Sequence, residues 1–263
     1  MNLDTQYFSL FSIPYSGDYD SAPKRVLVCL DFQQNLSTHQ SFLDRLAEHY
    51  DVCCLLMTNQ SQGKEVFHWN PSKSALEQEL SAIGKMIEGP LHCCIAQGFT
   101  ATLSGQLPVE RTIDILSNPS LPTKDITIAR MLSRLLFRSN TSTAWFRKLI
   151  EKSWSEQLQW PLSGPFPWIS RSKQEQIRYP LPLSNATWQQ VLTHIMHPSR
   201  DYTPIQVIVL LGSESGAMSG ASPVELQKHF SNSTVRHSIF YGERQELLLA
   251  ESVQQDILQT CKE

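Results

Sequence analysis

The feature that most constrains this chain is a repeated alternation. Short runs of consecutive apolar, often β-branched residues recur along it: "KRVLVCLDF" (24–32), "DVCCLLM" (51–57), "LHCCIA" (91–96), "RTIDILSN" (111–118), "IQVIVLLG" (205–212) and "VRHSIFYG" (235–242). A strand that is apolar on both faces belongs inside a sheet covered on both sides, and strands alternating with helices build such a sheet in parallel. The intervening segments fit. "STHQSFLDRLAEHY" (37–50) sets Phe42, Leu43, Leu46 and Ala47 on one helix face, and "PSKSALEQELSAIGKMIEG" (71–89) opens near a proline and stops at Gly89. "FTATLSGQL", directly after the third run, and "LLLAESVQQDILQTCKE", at the end, are also expected to be helical.

The pattern breaks between residues 122 and 200. Pro161, Pro165, Pro167, Pro180, Pro182 and Pro198 fall there with Trp145, Trp154, Trp160, Trp168 and Trp188, and no strand run is evident. The expected organisation is an α/β core over 1–121 and 201–263, a mostly parallel sheet covered by helices on both faces, interrupted by a helical cap over 122–200. At 263 residues the chain is long enough to bury such a core.

Several function classes are disfavoured by composition. Charged residues are 18 % of the chain and net charge is −3, so no basic surface for nucleic acid is expected. The start, "MNLDTQYFSLFSIPYSGDYD", lacks the basic and apolar regions of a signal peptide, and no apolar run approaches the roughly 20 residues of a membrane span. Cys29, Cys53, Cys54, Cys93 and Cys94 lie in apolar runs and Cys261 near the end, with no C-x-x-C spacing. They read as buried free thiols in a reducing compartment, without metal or cofactor, which implies a cytoplasmic protein.

In open parallel sheets functional groups gather beyond the carboxyl ends of the strands. Three ends stand out: Ala96-Gln97-Gly98-Phe99-Thr100, Gly212-Ser213-Glu214 and Glu243-Arg244-Gln245-Glu246. Four segments carry a resemblance. "IAQGFTATLS" is similar to an A-H-S-M-G-G elbow with Ala96 kept, and "TNQSQGKE" to a D-H-R-G-Q-G-x-S loop with Gln62 and Gly63 kept. "SNATWQQV" is similar to a G-G-P-T-x-x-W-V stretch with Thr187 and Trp188 kept, and "YGERQELLLAE" to a G-A-x-H-E-x-L-x-E segment with Gly242, Glu246, Leu248 and Glu251 kept. In order and together they resemble the α/β hydrolases, and more narrowly the bacterial lysophospholipases of the L-two type and the monoacylglycerol lipases.

That resemblance implies a nucleophile, acid and histidine at the three strand ends, in chain order. The chain departs from it at two of the three. Gly98 stands at the nucleophile position and Gln245 at the histidine position, while Glu214 keeps the acid. Glycine offers no nucleophilic atom, and glutamine takes no proton near neutral pH. The oxyanion region, represented by Asp31 and Phe99, departs as well. A carboxylate at Asp31 would repel the charge that builds on a tetrahedral intermediate. Glycine also adopts the strained elbow conformation without penalty, so strain and chemistry are both expected to be absent from this turn.

Other residues have plainer readings. Cys93 and Cys94 are expected to serve packing, Ser104 to serve packing or lie at the surface, His39 to be a solvated loop histidine, and Glu214, without its histidine, to be a solvated or hydrogen-bonded loop carboxylate. His229 and His237 fall near the last strand but not at its end. The segment 128–154 is basic, with Arg130, Arg134 and Arg138 on one helix face. It reads first as the solvated face of a cap helix and second as a peripheral contact with the anionic inner face of a membrane. The leading functional expectation is a non-catalytic, lysophospholipase-like protein with a degenerate triad, binding a lipid or acyl ligand under the cap, or a protein partner. The alternatives are an active lysophospholipase or carboxylic-ester hydrolase using another nucleophile, and a purely structural partner with a filled pocket.

Overall fold

Eight strands form one sheet in the order β1-β2-β4-β3-β5-β6-β7-β8. The computed structural model describes residues 2–5, 7–17, 23–30, 36–57, 73–87, 89–109, 111–116, 206–212, 222–230, 232–240 and 247–262. Strands β1 (Asn2–Asp4), β2 (Phe8–Ile13) and β3 (Arg25–Cys29) are followed by helix α1 (Leu36–Ala47), β4 (Asp51–Met57), α2 (Lys73–Met86) and β5 (Leu91–Gln97). Then come β6 (Arg111–Ile115), β7 (Gln206–Gly212), α3 (Pro223–His229), β8 (Thr234–Phe240) and α4 (Glu251–Lys262). β2 runs antiparallel to both its neighbours, and β3 to β8 pair in parallel.

The central strands are buried on both faces, and alternate residues divide between two apolar layers. Leu27, Cys29, Cys94 and Ala96 face α2 and α3, packing with Leu80, Ile83 and Leu226. Val26, Val28, Cys93 and Ile95 face α1 and α4, packing with Phe42, Leu46, Val253 and Ile257. This two-sided burial forces the near-continuous apolar runs of the sequence. The buried stripe of α1 is His39, Phe42, Leu43, Leu46 and Ala47, a spacing that keeps all five on one side of a 3.6-residue helix. At the start of α3, Ser222 accepts from the Glu225 N–H at 3.3 Å and Pro223 fills the first helical position.

The six expected strands are all present, within a few residues of their expected bounds. β1, β2 and α3 were not expected. β2 pairs with β4 and has mixed burial, with Phe8 and Leu10 buried and the residues between and beyond them less so. It therefore lacks the continuous apolar run that marks the inner strands. The expected helix after β5 is corrected. Residues Gly98–Thr102 and Ser104–Gln106 are two short 3-10 turns. The expected cap and its boundaries, 122–200, lie outside the described residues. All six cysteines are buried and free, as expected. Among the described residues no helix is long and apolar enough to cross a membrane.

The amino edge of the sheet is fastened by polar side chains. Arg25 forms an ion pair with Asp51, Nε donating at 2.6 Å. Arg111 donates to Gln206 at 2.9 Å and to the Thr260 carbonyl at 3.0 Å, and the His92 ring lies 2.8 Å from the Cys261 carbonyl. The last two contacts occupy carbonyls at the carboxyl end of α4, where a cation such as Arg111 also suits the helix dipole.

Candidate functional site

The winding of the sheet reverses at β3, because the chain steps from β3 to β4 on one side and returns across it to β5. The crevice beyond the carboxyl ends of β3 and β5 is therefore a topological switch point, the place where such sheets set functional groups. β5 stays extended through Gln97 (φ −118°, ψ 140°), and Gly98 then turns the chain at φ +60°. That left-handed conformation is open to glycine and costs a residue with a Cβ roughly 1–2 kcal/mol. Gly98 thus occupies an elbow-shaped turn with no side chain projecting from it.

Three hydroxyls hold the chain after the elbow, each bonded to the carbonyl three residues back. Thr100 Oγ1 donates to the Gln97 carbonyl at 2.7 Å, Thr102 to Phe99 at 2.6 Å and Ser104 to Ala101 at 2.9 Å. Hydroxyls at every second position thus supply the three-residue repeat of a 3-10 turn and compete with α-helical pairing. This is the physical reason for the difference from the expected helix. Thr100 Oγ1 also lies 2.9 Å from the Cys29 carbonyl and accepts the Gln97 N–H at 3.2 Å. One side chain thereby ties the elbow to the end of β3.

The one Ser104 O–H is shared between the Ala101 carbonyl and a second acceptor that sequence reasoning missed, Asp114 Oδ1 at 3.0 Å. Asp114 is fully buried on β6, its neighbours across the sheet being Ala96 on β5 and Val209 on β7. The Ser104 hydroxyl is fully buried too, so it is a packing and hydrogen-bonding group, as expected of it. Neither alternation nor motif spacing marks Asp114. The only signal is a carboxylate inside the otherwise apolar "RTIDI" strand.

The ends of β5, β7 and β8 lie on one edge, since these strands are parallel. Of the expected site residues, Gly98 is at that edge and Phe99 follows it, with the Phe99 side chain fully buried in the core. Asp31, Glu214 and Gln245 lie outside the described residues, as do Arg130, Arg134 and Arg138. β7 ends at Gly212 and β8 at Phe240, so the chain leaves both strands at this edge just ahead of Glu214 and Gln245. His237 is exposed on β8, and His229 ends α3 with its imidazole pulled down in pKa by burial.

The reading of His39 as a solvated loop residue is corrected. It lies on the first turn of α1, 1 % exposed, and burial pulls its pKa to about 4. Its spacing to Phe42 and Leu43 is the signal that could have found this. Among the thiols, the bond from Cys29 and then burial push Cys94 well up, and burial, helped by the neighbouring Cys29 and Cys53, does so for Cys54. Neither is poised as a nucleophile. No cluster of three or more metal-binding side chains occurs among the described residues.

No protein-family model matches this sequence, and no curated protein matches it. Solved structures do match in fold. A lipase in its open form aligns over 97 % of this chain and 94 % of its own, at TM-score 0.65 and 11 % identity. A carboxylesterase of the thaumarchaeon Nitrososphaera gargenis aligns over 99 % and 97 %, at TM-score 0.58 and 13 % identity. A soluble variant of monoglyceride lipase from Saccharomyces cerevisiae aligns over 100 % and 92 %, at TM-score 0.59 and 11 % identity.

Proposed function

We propose, from the premise that this chain has the α/β-hydrolase fold, that it is a non-catalytic member of that architecture which binds an acyl lipid at the carboxyl edge of its sheet. The observation that carries this reading is the elbow. Its apex is Gly98, which has no side chain to attack a carbonyl. The hydroxyls that follow it in the chain, on Thr100, Thr102 and Ser104, are buried and bonded to main-chain carbonyls. With Gln245 at the histidine position, the chain also lacks the usual base there. The acyl class rests on the resemblance to lysophospholipases and monoacylglycerol lipases, and the lipase and monoglyceride lipase among the matching structures lend it support.

The test is chemical. The purified protein should not hydrolyse short p-nitrophenyl esters, monoacylglycerols or lysophospholipids above background, and should not react with a fluorophosphonate. Stoichiometric labelling of one serine, located by peptide mass spectrometry, would overturn the proposal in favour of an ester hydrolase with another nucleophile. Labelling at Ser104 would single out the Ser104–Asp114 pair.

A further inference from the structure

We propose that β8 is an interface strand, the edge along which two copies of this chain join their sheets into one. The sheet has two edges, and they are unlike. β1 ends one with three residues, and a strand that short offers little to pair with. β8 ends the other with seven residues, in unbroken register with β7 from Gln206↔Thr234 to Gly212↔Phe240. Among the described residues β7 is its one partner strand. Pairing with β7 uses the inner side of β8, and alternate backbone groups of an edge strand point the other way, a template for a further strand. No proline, lysine or bulge interrupts it, and those are devices by which sheet edges discourage pairing. Thr234, Arg236 and His237 are exposed and the other four residues half-buried. Neighbouring residues on a strand point to opposite faces, so β8 is open on both.

The sequence of the strand selects the occupant. T-V-R-H-S-I-F is nearly symmetric in chemistry about its middle residue, His237. Consider a second copy laid antiparallel about a two-fold axis at His237, perpendicular to the sheet. Val235 then opposes Ile239, Thr234 opposes Phe240 and Arg236 opposes Ser238, each pair occurring twice. Directly opposed residues share a face, and an aromatic residue against a β-branched one is a favourable cross-strand pair. The packing agrees with this register. Val235 and Ile239 belong to the layer of α2 and α3, and Phe240 to the layer of α1 and α4. Each apolar layer therefore continues across the junction into the same layer of the second copy. An axis at Arg236 would set two guanidinium groups against each other. An axis at Ser238 would set Arg236 opposite Phe240 and His237 opposite Ile239. Like charges directly opposed are destabilising, and neither alternative keeps both apolar pairs.

Sedimentation equilibrium of the full-length protein should show a monomer and dimer in exchange, with the dimer fraction rising with concentration. His237 is exposed and lies on the axis, so a substitution there meets itself in the second copy. His237→Glu and His237→Lys should each weaken the dimer about tenfold or more, while the melting temperature of the dilute monomer stays unchanged. Mixed in equal amounts, the two variants should associate again, because Glu then faces Lys. Wild type that stays monomeric at the highest soluble concentration would overturn the proposal and leave the edge to a strand of another protein. A dimer that neither variant weakens would place the interface elsewhere and overturn it too. Loss in both variants without recovery on mixing would overturn the pairing centred on His237.

Discussion

A neutral imidazole inside an apolar layer makes stability depend on pH. His39 holds a pKa of about 4 in the fold against 6.5 for the free group. Between those values the unfolded chain takes up a proton that the folded protein refuses, so acidification favours unfolding. Stability is retained in full above the unfolded value and is lost as pH falls toward the folded one, by up to about 3 kcal/mol. His229, also pulled down by burial, tilts the balance in the same direction. Urea denaturation at pH 7 and pH 4.5 should therefore show wild type losing about 2 to 3 kcal/mol more than His39→Leu over that interval. Equal losses would mean that the ring is not held neutral in the fold.

At the scale of elements, the run from Gly98 to Gln106 shows how side chains select a helix type. Thr100 Oγ1 serves the Gln97 carbonyl, the Gln97 N–H and the Cys29 carbonyl together. Thr100→Val is close in shape and removes that oxygen, and the loss of its buried hydrogen bonds costs about 1–3 kcal/mol. The urea midpoint should fall with little change in slope. An unchanged midpoint would mean that the backbone alone holds the turn. The same logic explains what the sequence could convey. β3 to β7 were legible because strands in the middle of such a sheet must be apolar on both faces, β8 by its β-branched and aromatic residues although it is a partly exposed edge strand, and α1 because its stripe repeats at helical spacing. β2 was not, because its burial is mixed and its apolar signal correspondingly broken. Gly98 was legible as the glycine of a turn directly after β5, where the structure gives it φ +60°. The hydroxyl ladder and the Ser104–Asp114 bond were not, because they depend on contacts between strands and turns that no local period encodes.

Across the whole molecule, the six buried thiols sample both layers. Cys29 and Cys94, with sulfurs 3.8 Å apart, lie in the α2 and α3 layer, while Cys93 and Cys261 lie in the α4 layer. The bond from Cys261 and then burial push the Cys93 thiol well up. Any opening that undocks α4 should expose Cys93 and Cys261 together, ahead of Cys29 and Cys94. Iodoacetamide labelling of the native protein, followed by peptide mass spectrometry, should give that order. Labelling of Cys94 ahead of Cys261 would mean that the α2 and α3 side opens first.

The fastening of α4 to the amino edge also has a consequence for biosynthesis. His92 and Arg111 emerge from the ribosome long before the Cys261 and Thr260 carbonyls that they meet. At about 5–20 residues per second, the interval between Arg111 and Thr260 is roughly 7 to 30 seconds. Throughout it, the face that α4 will cover is apolar and bare. The nascent chain therefore carries a sticky, half-dressed sheet until α4 arrives to cover it.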